Sequence, residues 1–147
     1  MRTSRALLTA AAVLLPVALG ASPAPAALDY ATPGPLPSDA ICMSVTSGNG
    51  CFRKYGDQFW VRNWDAPATS LEVQWENALW DGSRWQTYRM GTCSAYQLDT
   101  GQWGVCNKDS YENSSTNKWG YKGSQVRWRI VAGTSFGPWS SWHLNDA

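Results

Sequence analysis

The chain has 147 residues, including 10 Trp and 4 Cys, and a formal net charge of +1. That length suits one compact domain, and 44% hydrophobic against 16% charged residues excludes a disordered tail. No basic excess exists to grip a nucleic-acid backbone, so nucleic acid is not an expected partner.

Arg2 and Arg5 make a positive start, and an apolar run from Ala6 to Leu19 follows, broken only by Thr9 and Pro16. Ala24-Pro25-Ala26 then reads as an A-x-A cleavage site, so residues 1–26 are expected to be a secretory signal peptide. The run is short for a membrane span and no second one follows, so no membrane partner is expected. Cleavage would leave about 121 residues with a formal charge of about −1. Residues 27–39, rich in Ala and Pro, read as a flexible leader, and 40–147 as a single domain.

All four cysteines, Cys42, Cys51, Cys93 and Cys106, lie beyond that leader. An even count in a small exported chain points to disulfides. With one His and no C-x-x-C, a zinc site has little support, and no metal or cofactor is expected. Of three possible pairings, Cys42–Cys51 and Cys93–Cys106 are preferred, because each pair flanks one turn signal: Ser47-Gly48-Asn49-Gly50 and Asp99-Thr100-Gly101.

Beyond the leader, no window keeps a helical period, whereas period-two alternation recurs. Cys51–Tyr55 and Gln58–Asn63 flank Gly56-Asp57, which predicts a two-residue hairpin with Phe52 facing Val61 and Arg53 facing Trp60. Phe52, Phe59 and Val61 then face the core, and Trp60 shares the outer face with Arg53 and Arg62. Leu71, Val73 and Trp75 alternate with Glu72, Gln74 and Glu76, as in a half-buried strand. Trp80-Asp81-Gly82-Ser83 reads as a turn, and Arg84–Met90 as extended chain. Cys93–Leu98 and Gln102–Cys106 predict another hairpin, and the polar run Lys108–Lys118 a loop. Val126, Trp128 and Ile130 alternate with Arg127 and Arg129. The expected fold is all-β: an antiparallel β-sandwich of seven to eight strands with an extra N-terminal hairpin.

Several phrases occur in the order of a fibronectin type III module, an immunoglobulin-like sandwich. Thr69-Ser70-Leu71-Glu72-Val73-Gln74-Trp75 resembles the second strand of such modules, Phe59-x-Val61 stands where the first would be, and Tyr88-Arg89 resembles the third strand's Tyr-Arg. Val126-x-Trp128-x-Ile130-x-Ala132 followed by Gly137 is similar to the late alternating strand and its sequel. Trp139-Ser140-Ser141-Trp142 resembles most of the Trp-Ser-x-Trp-Ser motif of cytokine-receptor modules, with His143 replacing the final Ser. The resemblance implies a ladder in which Arg127 and Arg129 stack between Trp139 and Trp142. It covers residues 57–143. Val126 replaces the tyrosine expected at the start of the late strand, and such modules usually lack disulfides. The whole chain also resembles small secreted actinomycete proteins with a Cys-Phe…Gly-Asp…Trp-Gly-x-Cys-Asn pattern, a group that implies no activity.

Gly133-Thr134-Ser135-Phe136-Gly137 matches G-x-S-x-G literally, but a nucleophile elbow needs a strand-turn-helix in a larger α/β sheet. Asn107, Asp109, Glu112 and Asn113 carry oxygen ligands for Ca²⁺, yet their spacing fits no known loop and reads as a solvated segment. No catalytic residues are assigned and no enzyme activity is expected. Once Trp75 and Trp128 are given to the core and Trp139 and Trp142 to the ladder, Trp60, Trp64, Trp80, Trp85, Trp103 and Trp119 are surplus. They either cover the sandwich, stacked on arginines, or form a binding surface. Trp64 and Trp80 are the ligand-binding candidates: each precedes a turn, each is followed by Asp, and neither is needed by the core faces. They should lie at opposite ends of the strand holding Trp75. The expectation is a secreted, monomeric, non-catalytic module that binds a polysaccharide or cell-surface glycan. The alternative is a protein-interaction module or an inhibitor of a secreted enzyme, acting through Thr46–Gly50 or Leu98–Gln102.

Overall fold

The computed structural model describes residues 26–65 and 70–146. The expected signal peptide, apart from Ala26, lies outside the described residues, as does Thr69. Among the described residues there is no helix, and the strands form two sheets.

Residues 27–33 are not a loose leader. They form β1 (Ala27–Tyr30) and β2 (Thr32–Pro33), with Ala31 between them buried in the core. The next hairpins are β3 (Ile41–Val45) with β4 (Gly48–Arg53), and β4 with β5 (Gln58–Asn63). Two long strands follow, β6 (Leu71–Trp80) and β7 (Trp85–Ser94), then β8 (Trp103–Asn107) and β9 (Ser124–Ala132). The chain ends along the free edge of β9 as β10 (Ser135–Phe136) and β11 (His143–Leu144).

One sheet runs β1-β7-β6-β9-β10, with β11 also on β9, and the other runs β2-β8-β5-β4-β3. All pairings are antiparallel except β1 on β7. The apolar faces meet in one core: Phe52, Phe59 and Val61 from one sheet, and Val73, Trp75, Val126, Trp128 and Ile130 from the other. Phe59 stacks on Trp75 with ring centroids 5.1 Å apart, and Phe52 tilts against Trp128 at 5.7 Å. Gly50 is required there, since a Cβ on it would come within 2.7 Å of Val73 and 2.8 Å of Ile130.

Both disulfides pair as the turn signals suggest, Cys42–Cys51 and Cys93–Cys106. Their settings differ. Cys42 and Cys51 are direct cross-strand partners in one hairpin. Cys93 and Cys106 stand on β7 and β8, in different sheets, so the expected hairpin between them is absent. The reason is β7's length: Cys93 pairs with Val73 and Gly91 with Trp75, which keeps the chain in the β6 sheet until Ser94. The segment 95–102 then crosses to the other sheet through turns closed by Leu98 N–H to Ala95 O and Gln102 N–H to Asp99 O.

The same side of the sandwich is bound twice. The disulfide joins β7 to β8, and the N-terminal segment adds β1 to β7 and β2 to β8. Lys108 pairs with Asp29 across this junction. Pro33 is tolerated because β2 lies at a sheet edge.

The β4–β5 register also departs from expectation. Phe52 faces Phe59 and Arg53 faces Gln58, leaving a four-residue loop, 54–57, in place of a two-residue turn. Gly56 and Asp57 both adopt positive φ, 85° and 51°, and the Asp57 N–H donates to the Lys54 carbonyl. Trp60 does not stack on Arg53 and Arg62. It is buried beneath the main chain at Gly34, with its indole N–H donating to Gln58.

Candidate functional site: the outer face of the β6 sheet

Alternation fixes this face. Val73, Trp75, Asn77 and Leu79 point to the interior, so Gln74, Glu76 and Trp80 point outward. On β9 the outward set includes Arg127 and Arg129, paired across the strands with Glu76 and Gln74. Arg127 is ion-paired with Glu76 at 2.6 Å, while both Nε and Nη2 of Arg129 donate to Gln74 Oε1, at 2.9 and 2.8 Å.

The C-terminal edge lays rings over these guanidinium groups. Gly137 N–H donates to Ile130 O and Ser140 N–H to Trp128 O, both at 2.8 Å, and the Trp128 N–H donates to Ser140 Oγ. This tether holds 137–142 beside β9 between β10 and β11. Arg129 then lies 4.5 Å from the Phe136 ring and 4.6 Å from Trp139, and Arg127 lies 4.6 Å from Trp139 and from Trp142. Rings and cations alternate in the order Phe136, Arg129, Trp139, Arg127, Trp142. Each contact is worth about 0.5–2 kcal/mol. Phe136 and Trp142, the two ends, are exposed.

Because the edge runs antiparallel to β9, Trp142 marks the end of the ladder nearest Ser124, and Leu79 pairs with Ser124. Trp80 therefore stands at that same end of the sheet. It pairs directly with Trp85 across the hairpin, their ring centroids 5.6 Å apart in an edge-on contact. Gly123 lies beneath them; a Cβ there would sit 2.7 Å from Trp80 Cβ and 3.2 Å from the Trp85 ring. The turn between the two strands is held by Asp81, whose Oδ1 accepts the N–H groups of Ser83 and Arg84 and whose Oδ2 accepts from Gln86. These bonds hold its carboxyl below the usual aspartate value. Trp85 is 39% exposed, and Trp80 is half-buried.

Trp64 belongs elsewhere. It follows β5, is 46% exposed, and has the Arg62 guanidinium 3.8 Å from its ring. Arg62 also lies 4.3 Å from Trp103 and donates to Asn49 Oδ1. Trp64 and Trp80 thus stand on different sheets and are not brought together. Trp85, a surplus tryptophan in the sequence but not one of its two ligand-binding candidates, joins Trp80 instead. The signal was present: a tight turn at Asp81–Arg84 makes the residues on either side of it cross-strand partners.

Tyr88 and Arg89 mark a second aromatic group. β6 and β7 pair as Asn77 with Arg89 and then Ala78 with Thr87, so Tyr88 is a bulge residue without a partner in the ladder. Its ring meets Tyr111 at 5.8 Å and Trp119 at 6.2 Å. The loop carrying Tyr111 is anchored inside the protein. Asp57, which is 5% exposed, accepts the Ser110 N–H and the Asn145 side-chain amide, and Asn145 also donates to the Tyr111 carbonyl. Burial raises the Asp57 carboxyl above its usual value, against the lowering effect of those two hydrogen bonds.

Ser135 and His143 are not neighbours. They pair with Ala132 and Val126, six residues and about 20 Å apart along β9. The His143 ring is within 3.2 Å of Ser141 Oγ and packs on Trp128, and burial lowers its pKa. Among the described residues no three His, Cys, Asp or Glu side chains gather as a metal site, and Asn113 Oδ1 accepts the Ser124 N–H.

No family model matches this chain, and neither a curated protein nor a solved structure matches it significantly.

Proposed function

We propose that this chain is a secreted, monomeric, non-catalytic binding module for a polysaccharide or cell-surface glycan, and that its contact surface is the outer face of the β6 sheet. The observation that carries this reading is the Trp80–Trp85 pair, held on Gly123 at the Trp142 end of the ladder. A core has no use for an indole on this face, and Trp85 leaves 39% of its surface in water. Indoles fixed by a sheet present flat apolar surfaces to sugar C–H faces, and nearby amides and guanidinium groups supply donors for hydroxyls. Two disulfides in a chain of this size favour an oxidising, extracellular setting.

Strand order supports an immunoglobulin-like module of the fibronectin type III kind. β4, β5 and β8 take the places of A, B and E, and β6, β9 and the C-terminal edge take C, F and G, with β7 beside C. On this assignment Leu71–Trp75 stands on the third strand, one later than the sequence resemblance suggests.

Retention on insoluble glucans, chitin and peptidoglycan tests the function. Trp80→Ala/Trp85→Ala should lose retention while the protein still folds cooperatively, at some cost in stability from the lost ring contact. A parent protein retained by no glycan contradicts the reading and favours a protein partner.

A further inference from the structure

We propose that the pocket beside the β7 bulge is a second, separate site that takes one carboxylate-bearing sugar, a hexuronate residue of an acidic glycan. This rests on the glycan reading above and adds the ligand's charge. The pocket is lined by Tyr88, Arg89, Asp109, Ser110 and Tyr111 and measures about 210 Å³. At about 30 Å³ per water it holds roughly seven waters, the space of a single sugar ring rather than a chain.

Two cations, Arg89 in the lining and Lys118 beside the Tyr88 ring, stand against one lining carboxylate, Asp109, which leaves an excess positive charge for an anion. Arg89 and Lys118 lie 5.0 and 4.9 Å from the Tyr88 ring, and Lys118 also lies 5.1 Å from Trp119. Neither cation belongs to any of the four ion pairs found among the described residues. The Arg89 guanidinium donates to the backbone carbonyl of Asp109, a neutral acceptor that fixes the group without cancelling its charge. A guanidinium has five N–H donors in a planar fork, so this bond leaves most of them available to a carboxylate. The Asp109 carboxylate, the Ser110 hydroxyl and the phenols of Tyr88 and Tyr111 are the acceptor and donor types that sugar hydroxyls require.

The site is also preformed. The bulge re-aims Tyr88 out of the strand ladder, a recurrent use of bulges beside binding sites. The opposite wall is tied to the interior through Ser110 N–H to Asp57 and Asn145 to the Tyr111 carbonyl. Little ordering cost is left for the ligand to meet.

The test compares oligogalacturonate with a neutral gluco-oligosaccharide and with inorganic phosphate, by calorimetry on the full mature chain. Arg89 and Lys118 are exposed, so Arg89→Ala and Lys118→Ala should fold normally. Each should weaken oligogalacturonate on the order of tenfold and reduce its salt dependence, with neutral-glycan retention unchanged. Trp85→Ala should do the converse. Equal oligogalacturonate affinity in parent and both variants overturns the pocket assignment. Retention of a neutral glycan with no oligogalacturonate binding overturns this inference and leaves the proposed function standing. Phosphate binding as tightly as oligogalacturonate overturns the sugar assignment, and a parent that binds no glycan of either kind overturns both readings.

Discussion

The indole N–H of Trp128 donates to the backbone carbonyl of Gly50, 3.2 Å away, across the interior from one sheet to the other. Trp128 is wholly buried with its single donor paired to that acceptor, and Gly50 leaves room beside Val73 and Ile130. Trp128→Phe should therefore cost about 1 kcal/mol beyond its packing change, and Trp128→Ala about 3–5 kcal/mol. Urea denaturation of both variants checks the order. An unchanged midpoint for Trp128→Ala would refute the β9 register.

The ladder predicts that arginine and lysine are not equivalent at position 127. Arg127 is bound to Glu76 and flanked by two indoles at once, a planar task that a lysine ammonium performs poorly. Arg127→Lys should lower stability by about 1 kcal/mol. Trp139→Ala, which removes the ring shared by both arginines, should cost more. Thermal denaturation of the two variants measures the difference, and equal midpoints for all three proteins would show that the stacks contribute nothing.

Asp57 gives the pH prediction. Its folded pKa is raised, chiefly by burial, so the folded state binds a proton more tightly than the unfolded state. Its contribution to stability is then fully present below the ordinary value of 3.8 and is lost as pH rises through the raised folded value. His143, whose pKa is lowered, has the opposite sign: its contribution is present above 6.5 and is lost as pH falls through the folded value. Comparing the stability of parent and Asp57→Asn from pH 3 to 7 isolates the first group. The parent should gain on the variant as pH falls toward 4, and parallel curves would exclude this role for Asp57.

Removing Cys93 and Cys106 together should cost about 2–3 kcal/mol, in line with the short loop they close. The N-terminal strands keep β7 and β8 associated, so the protein should still fold. Complete loss of structure in Cys93→Ala/Cys106→Ala would show that β1 and β2 hold nothing alone. No cysteine among the described residues is free, so the native protein should resist alkylation.

What the sequence makes legible is whatever depends on local alternation. Phe59 and Val61, then Leu71, Val73 and Trp75, then Val126, Trp128 and Ile130 are readable as core because each set repeats every second residue, and Phe52 joins them as the apolar residue of the strand that hairpins onto Phe59 and Val61. The placement of Arg127 and Arg129 against Trp139 and Trp142 follows the same logic, strand alternation met by rings three residues apart. Illegible features depend on partners distant in sequence. β1 and β2 look like a linker because Pro33, Pro35 and Pro37 hide edge strands whose hydrogen-bond partners lie far along the chain, on β7 and β8. The loop 54–57 misleads because Asp57, not a glycine, takes φ of 51°, held by its buried contacts with Ser110 and Asn145. Trp85 is legible as a surplus indole but not as a site residue, because its meaning lies in a cross-strand partner, Trp80, and in Gly123 beneath both.

The most direct measurement for the central claim is a titration of the indole N–H resonances of the protein. The added ligand is a soluble oligosaccharide of whichever polysaccharide retains it. The Trp85 and Trp80 resonances should shift most, with Trp142 following at the end of the ladder, while Trp128 and Trp64 stay in place. Shifts confined to Trp64, or no indole shift at saturating oligosaccharide, would contradict a binding face on the β6 sheet.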